Sequence, residues 1–133
     1  MKLAILGSGF ISRFYADSLV AQRRKDTLVS VSRRNEDNAK NFADDYGVPH
    51  YSTSIQECAS HPEVEAVIIG LSNDMHLPAV PEAAAAGKHV LCTKPLGRNA
   101  AEALQMLQAV EKAGVTGGYL EDLCYTPKFL KSL

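Results

Sequence analysis

This 133-residue sequence lacks an excess of basic charge: 14 Lys and Arg stand against 15 Asp and Glu, which gives a formal net charge of −1. Nucleic acids and membrane surfaces usually recruit a clear excess of Lys and Arg, so we expect no nucleic-acid partner and no membrane partner. Long apolar runs are also missing. The first one, Leu3 to Leu6, is interrupted at Gly7 and is too short for a secretory signal or a bilayer span.

Cysteine is scarce, and the three cysteines, Cys58, Cys92 and Cys124, lie far apart. Their odd number and wide spacing match neither a disulfide framework nor a metal site, so we expect reduced thiols, a cytoplasmic location and no metal. Cys92 lies two residues before Lys94 and could be reactive. A small buried residue at the end of a strand is the interpretation that we favour.

What the sequence does contain is an alternation of short apolar runs and longer helical segments. We predict strands at Leu3–Leu6, Leu28–Val31, Val64–Gly70, His89–Cys92 and Val115–Tyr119, and a short one near His50 and Tyr51. We predict helices at Ile11–Gln22, Glu36–Tyr46, Pro81–Ala86 and Ala100–Ala113. This order is typical of an α/β protein with a Rossmann-type doubly wound parallel sheet in three α/β/α layers.

Two prolines interrupt the helical pattern after the Val67-Ile68-Ile69 run. Pro78 and Pro81 each lack a backbone N–H, and each ring crowds the preceding helical turn. We therefore predict a loop or a single turn from Asn73, with the regular helix beginning near Pro81.

A glycine-containing turn, Gly7-Ser8-Gly9-Phe10-Ile11-Ser12, follows the first predicted strand and opens a helix. In this context Gly7 permits a tight turn and Gly9 lets the backbone approach a pyrophosphate at the positive end of the helix. Ser12 stands where a third glycine is usual. We predict that residues 7–11 bind a dinucleotide; an ordinary strand-to-helix turn is the alternative.

The second predicted strand ends in Ser32-Arg33-Arg34, where dinucleotide folds that hold NAD usually carry Asp or Glu. A 2′-phosphate carries roughly two negative charges, and arginine can grip it through paired charge-assisted hydrogen bonds. We therefore predict NADP as cofactor, with NAD as the alternative. Both arginines could instead be solvated charges ahead of Asn35, a residue suited to cap a helix.

Three segments at the carboxyl ends of predicted strands resemble one known family. The segments Gly7 to Ser12, Ser72 to His76 and Ala86 to Leu96 closely resemble the nucleotide-binding half of the glucose–fructose oxidoreductase, inositol dehydrogenase and rhizopine-catabolism (Gfo/Idh/MocA) family. The most specific part is Gly-Lys-His-Val-Leu-Cys-x-Lys-Pro-Leu. The resemblance implies a pyridine-nucleotide oxidoreductase that acts on a sugar, a polyol or a related cyclic compound.

By this resemblance, Lys94 is the lysine of a Glu-Lys-Pro motif that positions and polarises the reacting hydroxyl or carbonyl. Asn73 and His76 match the segment that runs beside the nicotinamide end of the cofactor, and we expect Leu71 and Ser72, just before them, to contact the cofactor as well. Thr93 replaces the usual Glu, and Leu71-Ser72 replaces the usual Thr-Pro. His76 could instead form internal hydrogen bonds.

Lys94 also has a physical case of its own. Removing hydride from a carbinol carbon requires the hydroxyl proton to leave, and a nearby cation stabilises the developing alkoxide. A crevice that partly desolvates this lysine would suit it to proton transfer. Pro95 fixes the backbone beside Lys94, and we predict a cis Lys94–Pro95 peptide bond. We expect both residues to contact the cofactor. The alternative for Lys94 is a solvated surface charge.

The family pairs such a domain with a larger substrate domain. We expect residues 1–120 to form the NAD(P)-binding domain and residues 121–133 to begin a connector helix, with Thr126 as cap and Pro127 in its first turn. Such a chain would bind cofactor and turn over poorly, and the full-length protein would be a homo-oligomer. Two alternatives remain: a non-catalytic NAD(P)-binding regulatory module of the same fold, and a flavodoxin-like or receiver-type domain.

Overall fold

The strands of this protein form one six-stranded parallel sheet. The computed structural model describes residues 1–7, 9–22, 25–121 and 131. Its strands are β1 (Lys2–Leu6), β2 (Thr27–Ser32), β3 (His50–Ser52), β4 (Ala66–Ile69), β5 (His89–Thr93) and β6 (Gly117–Leu120). The strand order is β3-β2-β1-β4-β5-β6, and all neighbouring pairs are parallel. This confirms the predicted Rossmann-type fold.

Five helices connect these strands: α1 (Phe10–Gln22), α2 (Glu36–Tyr46), α3 (Ile55–Ser60), α4 (Asn73–Ala85) and α5 (Ala100–Ala113). The helices cover both faces of the sheet, and β1 shows this directly: Ala4 and Leu6 belong to one buried cluster, whereas Leu3 and Ile5 belong to the other. The predicted connector helix, with Thr126 and Pro127, lies outside the described residues, as does Cys124.

The order of the sheet reverses at β1, which places β2 on one side and β4 on the other. At its carboxyl end, Leu6 is paired in register with Ser32 of β2 and with Ile69 of β4. Because the three strands end at the same level, the segments that follow them meet at one point. Ligands of open α/β sheets bind at such a switch point.

The prediction of a loop from Asn73 to Pro81 was wrong, because α4 is helical from Asn73 and contains both Pro78 and Pro81. Each proline removes a helical hydrogen bond and usually costs about 3 kcal/mol. Here Pro78 is exposed, so water can reach the backbone that its ring leaves unpaired. The opposite face of α4 is buried in the core and includes Ala79, Val80 and Ala83. The stabilisation from burying that face outweighs the helix-breaking preference of the two prolines.

Helix α3 was missed, although a local signal precedes it. Ser54 is the N-cap, and its hydroxyl accepts a hydrogen bond from the Glu57 backbone N–H at 3.1 Å. The sequence Ser-x-x-Glu at a helix start is the signature of a capping box. Because α3 follows the carboxyl end of β3, its start lies at the same edge of the sheet as the glycine turn.

Candidate cofactor site

The turn after β1 requires glycine at position 7. Gly7 has φ = 122°, a backbone conformation that side chains disfavour, and its N–H donates to the Ser32 carbonyl oxygen at 3.1 Å. A Cβ at this position would lie 2.2 Å from the carbonyl oxygen of Gly70. Gly7 therefore brings the backbones after β1, β2 and β4 into direct contact.

Gly9 differs from Gly7, because open space surrounds it. A Cβ built at Gly9 would meet no described atom within 4 Å, its own chain neighbours aside. The residue lies just before α1, whose first turn carries no acidic side chain. A negatively charged group can thus approach the positive end of this helix without meeting a side chain at position 9.

Ser12, at the third small position of the turn, packs against β4. Its side chain is fully buried, and a Cβ at Gly70 would lie 2.6 Å from the Ser12 hydroxyl oxygen. The absence of a side chain at position 70 leaves room for the hydroxyl. This contact explains how serine replaces the expected glycine while the helix remains close to the sheet.

A cleft of about 520 Å³ lies over the switch point. Nine of the residues predicted to bind the cofactor line it: Gly7, Gly9, Phe10, Ile11, Ser32, Arg33, Arg34, Leu71 and Ser72. Thr53, Ile55, Gly70 and Met75 also line it and were missed. Thr53 and Ile55 follow the carboxyl end of β3, so the rule that ligands bind beyond strand ends could have identified them. Ser8 lies outside the described residues.

The two arginines after β2 differ in their surroundings. Arg33 is 7% exposed, and its guanidinium carbon lies 4.4 Å from the centre of the Phe42 ring of α2. Burial lowers the pKa of the Arg33 guanidinium, and the nearby positive charge of Arg13 lowers it further. Arg34 is exposed at the cleft. Arg33 is thus held in one orientation by stacking, whereas Arg34 is free to reach a ligand.

Lys94 lines a second cleft of about 460 Å³, which shares Phe10, Ile11 and Leu71 with the first. The Lys94–Pro95 bond is cis, as predicted. The lysine side chain is exposed, so this chain alone does not desolvate it. The two clefts therefore adjoin each other, with the arginines after β2 lining the first and Lys94 lining the second.

Polar contacts anchor both ends of the loop that carries Lys94. Before the loop, the Thr93 hydroxyl donates to the Ile69 carbonyl oxygen at 2.9 Å. After the loop, the carboxylate of Glu102 accepts from the backbone N–H of Arg98 at 2.9 Å and from its guanidinium at 2.6 Å. The hydrogen bond from Arg98 lowers the pKa of the Glu102 carboxyl. Thr93 thus ties β5 to β4 at the position where the family usually has Glu.

His76 is fully buried and internally hydrogen-bonded, in agreement with the alternative interpretation. Its Nδ1 lies 2.9 Å from the Pro95 carbonyl oxygen, and its Nε2 lies 3.1 Å from that of Leu71. Three residues predicted to bind the cofactor, Asn73, His76 and Pro95, are not among the described residues that line the two clefts. The ring therefore stands behind the crevice and joins two of its walls.

Cys58 and Cys92 are free and buried. Burial raises the pKa of the Cys92 thiol to about 12, so this thiol is protonated at neutral pH.

Within the part of the chain that the structure describes, no three His, Cys, Asp or Glu side chains form a group that could hold a metal ion. No helix among the described residues is long and apolar enough to cross a membrane.

Comparison with known proteins identifies relatives of this domain. Residues 1–119 match the sequence profile of the oxidoreductase family with the NAD-binding Rossmann fold, GFO_IDH_MocA. The bovine (Bos taurus) trans-1,2-dihydrobenzene-1,2-diol dehydrogenase is 34% identical over 116 residues, which are 86% of this chain and 35% of the relative. The chain thus spans about a third of the length of that curated relative.

Two solved structures superpose closely on this fold. Biliverdin reductase from Synechocystis, in complex with biliverdin and NADP+, has a TM-score of 0.84 and 27% identity over 93% of this chain and 39% of its own. GenD2 of gentamicin A biosynthesis, in complex with NAD, has a TM-score of 0.90 and 28% identity over 99% of this chain and 37% of its own. One structure holds NADP+ and the other NAD, so both cofactors occur on this architecture.

Proposed function

This chain belongs to the Gfo/Idh/MocA oxidoreductase family, and from that premise we propose that it is the nucleotide-binding domain of an NAD(P)-dependent dehydrogenase. The enzyme would transfer hydride between the nicotinamide and a sugar, a polyol or a related cyclic alcohol. One observation carries the proposal: two clefts that share Phe10, Ile11 and Leu71 adjoin at the glycine turn, one lined by Arg34 and the other by Lys94. A second domain of the family would supply the rest of the substrate pocket.

The residues of the first cleft fit a dinucleotide. Gly9 leaves open space at the start of α1, where backbone N–H groups can donate hydrogen bonds to a pyrophosphate. Ser32 and Arg34 stand where a ribose phosphate would lie in this fold, with Arg33 stacked on Phe42 behind them. With no carboxylate at the end of β2, we propose NADP as the preferred cofactor.

The second cleft supplies the chemistry at the reacting end. When bound, the nicotinamide ring would accept or donate the hydride. Leu71 and Ile11 would offer it an apolar wall that limits water, and Lys94 lines the same cleft. There Lys94 can hydrogen-bond the substrate oxygen, stabilise its developing negative charge and exchange its proton.

The first test is a parallel titration of this chain with NADPH and NADH, followed by nicotinamide fluorescence. We expect NADPH to bind about ten- to a hundredfold more tightly, because a 2′-phosphate gains charge-assisted hydrogen bonds from arginine. Arg34→Ala should remove most of that preference and leave NADH affinity unchanged.

Lys40→Ala is the matched control, because Lys40 is also an exposed cation but forms an ion pair with Asp44 on α2, away from the cleft. It should leave both affinities unchanged. Equal affinities of NADPH and NADH in the unmodified chain would contradict the cofactor preference. Binding of neither would contradict the proposed function itself.

Replacement of Lys94 distinguishes a dehydrogenase from a regulatory module of the same fold. In a polypeptide that joins this domain to a substrate domain of the family, Lys94→Ala should lower kcat by about a hundred- to a thousandfold, because the developing alkoxide loses its cation. NADPH affinity, measured by fluorescence, should change by less than about threefold, because Lys94 is exposed at the far end of the cleft. An unchanged kcat would contradict the role proposed for Lys94, and absence of turnover in the unmodified polypeptide would favour the regulatory module.

A further inference from the structure

His76 links the two sides of the crevice from behind. Its ring is fully buried at the start of α4, between Leu71 at the end of β4 and the turn that follows Lys94. Nδ1 lies 2.9 Å from the Pro95 carbonyl oxygen and 3.3 Å from that of Leu96. Nε2 lies 3.1 Å from the Leu71 carbonyl oxygen. Leu71 lines both clefts, and Lys94, next to Pro95, lines the second.

The geometry decides which ring nitrogen carries the proton. A neutral imidazole has one N–H donor and one acceptor, whereas carbonyl oxygens can accept only. With the proton on Nε2, the Nδ1 lone pair would face two carbonyl oxygens, and the Cys92 thiol, 3.5 Å from Nδ1, could donate to that lone pair only by giving up the Thr93 carbonyl oxygen at 3.6 Å. With the proton on Nδ1, one lone pair faces one carbonyl oxygen. The Nδ1–H form therefore has fewer repulsive contacts, and it donates across the shortest of the three distances.

We propose that His76 is a positioning residue that holds the turn beside Lys94 through a hydrogen bond from Nδ1–H to the Pro95 carbonyl, and so shapes the nicotinamide end of the crevice. This inference rests on the proposed function, because it assigns the His76 contact to that end of the cofactor. His76 itself lines neither cleft and would touch neither cofactor nor substrate. Thr93 and Glu102 anchor the turn from either side, and His76 supports it from below.

Two amide substitutions separate the roles of the ring nitrogens. The amide nitrogen of asparagine can take the place of Nδ1, and the longer glutamine places its amide nitrogen near Nε2. We compare the unmodified chain with His76→Asn and His76→Gln by calorimetric titration with two probes. NADPH carries the nicotinamide; 2′-phospho-ADP-ribose matches the rest of the molecule.

We expect the affinity of His76→Asn for NADPH to stay within about twofold of that of the unmodified chain. The affinity of His76→Gln should be about five- to tenfold lower, which is the effect of losing one hydrogen bond. The affinity for 2′-phospho-ADP-ribose should be the same in all three proteins. A purely structural role would weaken binding of both probes together, and that result would overturn the proposal. So would equal NADPH affinity in the three chains, or weaker binding by His76→Asn than by His76→Gln.

A second measurement does not depend on cofactor binding. Long-range ¹H–¹⁵N correlation spectra of the unliganded chain report which nitrogen of His76 is protonated, and we expect Nδ1. Protonation at Nε2 would overturn the proposal even if NADPH binds well. If the unmodified chain binds neither probe while the spectrum shows Nδ1–H, the proposed function fails although the hydrogen bond stands.

Discussion

Alanine in place of Gly7 is expected to lower the free energy of unfolding by about 3 to 5 kcal/mol, enough to unfold a large share of a marginally stable domain. The added Cβ would lie 2.2 Å from the Gly70 carbonyl oxygen and 2.6 Å from its carbon. Neither atom belongs to a flexible side chain, so the collision forces β1 and β4 apart at the switch point. Urea denaturation followed by circular dichroism measures the loss.

Gly87→Ala is the control for backbone conformation. Gly87 also has a positive φ, 74°, but a Cβ there would meet no described atom within 4 Å. This variant should lose about 1 kcal/mol, the usual cost of placing alanine in the left-handed region. If Gly7→Ala loses no more than Gly87→Ala, the close approach of the two backbones is not what requires glycine at position 7.

Gly9→Ala is expected to give the opposite result: unchanged stability and a loss of cofactor affinity of about ten- to a hundredfold. The methyl group would occupy open space in the folded chain, so it strains nothing there. The same space is where a pyrophosphate would approach the start of α1. Fluorescence titration with NADPH measures the affinity, and urea denaturation of the same variant measures its stability.

The two glycine variants form a matched pair, because they lie in one turn and add the same single carbon. A Gly9→Ala protein that binds NADPH as tightly as the unmodified chain would show that the cofactor does not approach the backbone here. Equal destabilisation of both variants would show that the turn tolerates no side chain at either position, and would remove the evidence for an open site at Gly9.

The sequence was sufficient to predict the sheet, because the short apolar runs and the glycine after β1 depend on local chemistry. It also placed Ser32, Arg34 and Lys94 at strand ends, which topology alone brings together. The start of α4 was predicted wrongly, since the preference of Pro78 and Pro81 is local whereas the burial that overrides it comes from contacts with the rest of the fold. No rule of sequence could weigh the two.

The same limit applied to side chains of the site. Arg33 and Arg34 are equivalent in sequence, and only the position of Phe42 on α2 decides that one stacks and the other remains exposed. The partners of His76 are backbone carbonyls on two other segments, a contact that residue types do not reveal. Thr53 and Ile55 were missed because they follow the shortest of the six strands.

The contact between Ser12 and Gly70 has a consequence for how this chain can change over time. The hydroxyl of Ser12 fills the volume that a methyl group at position 70 would need. Side chains at positions 12 and 70 therefore compete for the same volume, although the two residues are far apart in sequence. A substitution that enlarges residue 70 therefore requires the Ser12 hydroxyl to move or residue 12 to become smaller, so changes at these two positions depend on each other.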